Sequence, residues 1–104
     1  MERVCFSFEI YQGTEDEYKK RHDEIWPELV DAIKAAGQSN YSLFRRGTTV
    51  IGYVECEPDA ATAFAKVAAT DANARWQEWF KEVIQSPRTP DGAFARYDEV
   101  WHLD

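Results

Sequence analysis

The residues best suited to chemistry lie between Tyr18 and Leu29, in the stretch YKKRHDEIWPEL. His22 is one of two histidines in the chain, with Tyr18 four positions before it and Trp26 four positions after. At helical spacing, residues four apart stack on one face, so the three form a ladder with an imidazole between two aromatic rings. Imidazole exchanges protons near neutral pH, and ring faces are platforms for small apolar or sugar-like ligands. The pattern therefore points to proton transfer on a small molecule. It also describes a partly buried helix face with a satisfied histidine, and both readings stand at this point.

The elements that must carry these residues follow from the patterning around them. Residues 3 to 11 alternate, with Val4, Phe6, Phe8 and Ile10 on one side and Cys5, Ser7, Glu9 and Tyr11 on the other, which predicts a strand. Thr14 and Glu17 have the spacing of a capping box, and the apolar series from Tyr18 to Ile33 keeps a helical period up to Gly37. Pro27 interrupts that run, because proline lacks the amide donor and clashes with the preceding turn. A helix that breaks there would leave His22 near a C-terminus, where the helix dipole favours a protonated imidazole.

Residues 40 to 46 and 49 to 56 predict two strands of a hairpin turning at Gly47. Pro58 and Asp59 start an alanine-rich helix to Ala69, and Thr70 with Asp71 caps a second segment through Trp76, Trp79, Phe80, Val83 and Ile84. Residues 86 to 92 carry loop signals, and Phe94 to Leu103 predicts a last strand. The order βαββαβ specifies an α+β, ferredoxin-like architecture, a four-stranded antiparallel sheet with helices on one face. Several strands are apolar on both faces, notably at Ile51, Tyr53, Tyr97 and Trp101. A half-solvated sheet would alternate, so a second copy is expected to cover that face, as in a dimeric α+β barrel.

Size and charge narrow the function classes. The 104 residues suit one domain spanning 1–104, and 44% hydrophobic residues with 14% aromatics indicate a folded globular chain. A formal net charge of −7 offers no basic footprint for nucleic acid. No run approaches the roughly 20 apolar residues of a membrane span, and residues 1 to 12 read as a strand instead of a signal peptide, so a cytoplasmic location is expected. Cys5 and Cys56 lack metal-site or CxxC spacing and read as core thiols, with no metal expected. Tyr41 and Trp76 are placed to face the space between helices and sheet near His22, giving a ring-lined pocket suited to a polyol. Trp79 is assigned to the core. Glu24, Glu28, Glu99 and His102 read as solvated polar residues.

The chain resembles the L-rhamnose mutarotase family over essentially its whole length. The resemblance rests on Tyr18-x-x-x-His22, Ile25-Trp26-Pro27-Glu28-Leu29, Asn40-Tyr41-Ser42, Thr70-Asp71 with Arg75-Trp76, and Glu99-Val100. It implies a cofactor-free homodimer that interconverts the α and β anomers of L-rhamnose. It further implies that His22 is the proton donor and that Tyr18, Tyr41 and Trp76 contact the sugar. There are two departures from the family pattern. Gln77 stands where a second tryptophan is usual, and Trp101 with His102 stands where Phe or Tyr is common. Because Gln77 adjoins the sugar contacts, it is included among the candidate substrate-binding residues, and L-fucose or another 6-deoxy sugar remains an alternative substrate. A small monooxygenase of the same dimeric architecture and a non-catalytic sugar sensor are the other readings.

Overall fold

The computed structural model describes residues 1–85 and 94–104. The loop expected at 86 to 92 lies outside the described residues. Strand β1 spans Glu2–Ile10, α1 Glu15–Asp23, α2 Pro27–Ala35, β2 Gln38–Arg46, β3 Thr49–Cys56, α3 Ala60–Ala68 and α4 Asp71–Trp79. Two short strands follow, β4 at Ile84–Gln85 and β5 at Ala95–Tyr97. All pairings are antiparallel, in the order β2-β3-β1, with β4 and β5 sharing the second edge of β1. This is the expected ferredoxin-like arrangement, with each long helical segment divided in two.

The core forms where the inward side chains of the sheet meet the helices. Val4, Phe6, Phe8 and Ile10 of β1, and Val50, Val54 and Cys56 of β3, pack against Tyr18, Leu29, Ala63, Trp76 and Phe80. Gly52 faces the same way because Phe6, its cross-strand partner, occupies the space a side chain would need. Phe94 extends this aromatic layer, stacking on Phe8 at 4.4 Å and Phe6 at 5.8 Å.

Several local expectations hold. Asp59 caps α3, its carboxylate accepting from Thr62 N–H at 2.7 Å, and Thr70 caps α4 by accepting from Asn73 N–H at 3.2 Å. Gly37 adopts φ +95° after α2, at a position where a side chain would collide with the Glu57 carbonyl. Pro27 is the first residue of α2, and Trp26 before it is extended with ψ 131°.

Other expectations are corrected. Thr14 makes no capping box, since its hydroxyl donates to the Tyr11 carbonyl at 2.6 Å while the Glu15 carboxylate accepts from Gly13 N–H. Helix α4 ends at Trp79 and passes through a 3-10 turn over Phe80–Glu82, so Ile84 is a strand residue paired with Ile10. The last strand stops at Tyr97, paired with Cys5, although β1 continues to Glu2, and Val100, Trp101 and Leu103 are exposed. Cys56 is a core thiol, whereas Cys5 is half-buried on the opposite sheet face, so the two do not approach across the strands.

Candidate active site

A cavity of about 970 Å³ opens between the helices and the inner face of the sheet. His22, Tyr41, Trp76 and Gln77 all line it, so four of the five residues singled out by sequence converge. Tyr18 does not. It is 5% exposed and sits behind His22 in the core, with ring centroids 4.4 Å apart. The aromatic ladder therefore has two rungs. Proline at 27 drives Trp26 out of the helix, and its ring stacks on Trp79 at 5.3 Å and meets Trp76 edge-on at 5.1 Å.

The imidazole of His22 is held on three sides. Tyr18 lies one turn back, Trp76 stands perpendicular to it at 5.3 Å, and Phe80 lies at 5.2 Å. Its Nδ1 is 3.0 Å from the Tyr18 carbonyl oxygen. A carbonyl only accepts, so Nδ1 carries the proton and the neutral ring presents a bare Nε2. Burial pulls the His22 pKa below its ordinary value, and this outweighs the opposing effects of the Tyr18 carbonyl and Asp23. The expectation of a protonated imidazole at a helix C-terminus is corrected accordingly: desolvation by the surrounding rings exceeds the favourable dipole.

The two tyrosines are poor bases. Burial pushes the Tyr18 phenol well above its ordinary range. Tyr41 keeps 40% of its surface exposed, yet the packing around its phenol still penalises the anion and pushes it up to about 12. Both are neutral hydroxyls at physiological pH, able to donate but not to abstract. Among the described residues no carboxylate lines the cavity, while Lys34 and Arg96 contribute cationic groups to its wall.

Tyr41 reaches the cavity through a bulge. Ser39 pairs with Glu55 and Ser42 with Tyr53, so two residues of β2 oppose the single Val54 of β3. Asn40 takes φ 46°, a conformation asparagine tolerates, and its Nδ2 donates to Glu55 at 2.8 Å. Gln38 and Tyr41 consequently both line the cavity although they lie three residues apart, a spacing that puts side chains on opposite faces of a regular strand.

Trp76 is fixed from outside the cavity. Arg75 pairs with Asp71 within α4 at 2.9 Å and reaches Glu28 of α2 at 2.7 Å, its guanidinium over the Trp26 ring. Glu28 thus clasps two helices together, beyond the solvated role expected of it. Arg21 was not legible as a structural residue. It is 7% exposed, bonded to Glu17, Glu82 and the Trp79 carbonyl, and stacked on Trp79. These bonds tie α1 to the end of α4 and hold Phe80 against His22. Trp79 itself is half-buried, packed on the core without entering it. Glu99 pairs with Arg3 and His102 with Asp104, and neither lines the cavity.

A family model described as L-rhamnose mutarotase matches residues 3–103. The chain belongs to the L-rhamnose mutarotase family. Among relatives, the L-rhamnose mutarotase of Listeria monocytogenes is 37% identical over 105 residues, covering 99% of both chains. That of Oceanobacillus iheyensis is 35% identical over 106 residues, covering 100% of each. The crystal structure of L-rhamnose mutarotase from Formosa agariphila superposes on the whole chain with a TM-score of 0.82 at 26% identity. The mutarotase family likeness therefore extends through sequence and three-dimensional structure alike.

Proposed function

We propose that this protein is an isomerase that interconverts the α and β anomers of L-rhamnose. The observation that carries the reading is the half-buried His22, which lines the ring-walled cavity while its Nδ1 is held 3.0 Å from the Tyr18 carbonyl oxygen. Opening a pyranose moves one proton from the anomeric hydroxyl to the ring oxygen, and both oxygens are bonded to C1. His22 Nε2 accepts the hydroxyl proton as the C1–O5 bond breaks, and the imidazolium returns that proton to O5. Rotation about C1–C2 presents the other carbonyl face, and the same transfers in reverse close the ring. No change of oxidation state occurs, so one positioned acid-base group is sufficient.

Tyr41 and Trp76 supply a hydroxyl donor and a ring face to the sugar, and Gln77 supplies an amide. Tyr18, buried behind the histidine, acts as a positioning residue through its carbonyl and ring. Gln77 in the cavity wall favours one secondary reading, that L-fucose or another 6-deoxy sugar is accepted beside L-rhamnose. The homodimer belongs to this proposal: Phe44, Ile51 and Tyr97 are exposed on the sheet face away from the helices, and a second copy would cover them. A cytoplasmic location also belongs to it. Among the described residues, no helix is long and apolar enough to cross a membrane.

Saturation-transfer NMR on the anomeric protons of L-rhamnose tests the proposal. Exchange faster than in buffer, abolished by His22→Ala, is the expected result. Exchange at the buffer rate with correctly folded protein would refute it.

A further inference from the structure

Gln38 is the first residue of β2 and is only 4% exposed, yet among the described residues its side-chain Nε2 has no hydrogen-bond partner. Buried amides are ordinarily paired, because an unsatisfied donor keeps its desolvation penalty without recompense. The side chain lines the same cavity as His22, Tyr41 and Trp76. Ser39 and Asn73 also line that cavity, and neither accepts from Gln38 Nε2. An apolar residue would fill the position at lower cost if packing were its only purpose.

The backbone leaves Gln38 little choice of direction. Glu57 N–H donates to the Gly37 carbonyl at 2.8 Å, Gln38 pairs with Cys56, and the bulge at Asn40 turns Gln38 and Tyr41 to the same side. Strand register also places Gln38 away from the proton-transfer end. Cys56 pairs on with Glu2 at the start of β1, whereas Tyr18, behind His22, packs on Phe8 near its end. The terminal torsion of glutamine is broad, so the amide can turn its donor into the cavity without leaving its rotamer.

We propose that Gln38 is a substrate-contacting, specificity-determining residue whose amide donates to a hydroxyl on the edge of the pyranose remote from C1 and O5. This rests on the mutarotase reading, which places C1 and O5 against His22. The remote edge carries the C3 and C4 hydroxyls. L-Rhamnose and L-fucose differ in configuration at C2 and C4, so a donor fixed at this edge discriminates between them. The contact is the same before and during ring opening, so it governs sugar affinity and not the rate at saturation.

The test compares wild type with Gln38→Leu and Gln38→Glu, using L-rhamnose and L-fucose as probes. Melting temperature without sugar, sugar affinity by NMR titration and saturated exchange rate are measured on each. Gln38→Leu should melt at or above the wild-type temperature, because an unpaired buried donor has been removed. Its affinity for the preferred sugar should fall about tenfold, the loss expected of one hydrogen bond, with saturated exchange within about twofold of wild type. The affinity ratio between the two sugars should shrink. Gln38→Glu, which keeps the length and removes the donors, should show the same loss of affinity.

Unchanged affinity and sugar preference in Gln38→Leu would overturn the proposal. So would a failure of both variants to fold, which would make the amide structural. A wild type that binds L-rhamnose without accelerating exchange would sink the mutarotase reading alone, and the affinity comparison would still decide the role of Gln38.

Discussion

The Nδ1 atom of His22 lies 3.0 Å from the Tyr18 carbonyl oxygen, one helical turn back along α1. A carbonyl can only accept, so this contact selects the tautomer with the proton on Nδ1, while burial among the surrounding rings lowers the pKa.

His22→Ala should lose most of the accelerated anomer exchange, by roughly a hundredfold to ten-thousandfold, the usual range for a general acid-base group. Sugar affinity should survive, since Tyr41, Trp76 and Gln77 remain in the cavity wall. NMR exchange and titration on one preparation check both. Undiminished exchange in a folded variant would remove His22 from the mechanism.

The pH dependence has a definite sign. Burial lowers the His22 pKa from 6.5, so the acting neutral form persists below that value and exchange declines only at lower pH. Between the lowered and ordinary values the unfolded chain binds more protons, so this group's stabilising contribution is present above 6.5 and is lost as pH falls. A pH–rate profile centred above 6.5 would contradict the assignment.

Gln77→Trp should raise turnover of L-rhamnose relative to L-fucose by restoring a ring face at the cavity wall. Competition between the two sugars in one NMR sample reads the ratio directly. An unchanged ratio would show that position 77 does not meet the bound sugar.

Phe44→Glu should weaken the homodimer, because a charge brought into an interface without a partner is strongly unfavourable. Phe44 is 64% exposed in the isolated chain, so the substitution should leave the fold of one copy intact. Sedimentation should give a dimer for wild type at micromolar concentration and a monomer-shifted equilibrium for the variant. A monomeric wild type would remove the dimer from the proposal.

Gly52→Ala should cost about 1–3 kcal/mol, as overpacking of a filled core does. The added carbon meets the Phe6 ring, which is 4% exposed and packed on Phe8 and Phe94. Phe6 also meets the Tyr41 ring edge-on at 6.2 Å, so sugar affinity should fall along with the melting temperature. Chemical denaturation and titration separate the two effects. Unchanged stability would mean the ring can move aside.

Features set by covalent chemistry over a few residues were legible in the sequence. Proline at 27 ends one helix and begins another, glycine at 37 accepts a left-handed backbone, and Asp59 and Thr70 supply capping oxygens to the turns that follow them. The alternation of β1 likewise announces which side chains face the helices. Tertiary structure decided what depends on distant partners. Thr14 could accept from the Glu17 N–H as a cap or donate to a carbonyl, and its hydroxyl donates to Tyr11. Burial of Tyr18 follows from Phe8 and Phe80, residues far from it in sequence. The charge state of His22 was misjudged because a dipole is local to one helix, whereas desolvation sums over Trp76, Phe80 and every other group that closes around the ring. Gln38 lies just before the strand expected at 40 to 46, and no sequence signal marked it. Its place in the cavity wall arises from a bulge in β2, the turn at Gly37 and the pairing to β3, which together bury an amide whose donor has no partner among the described residues.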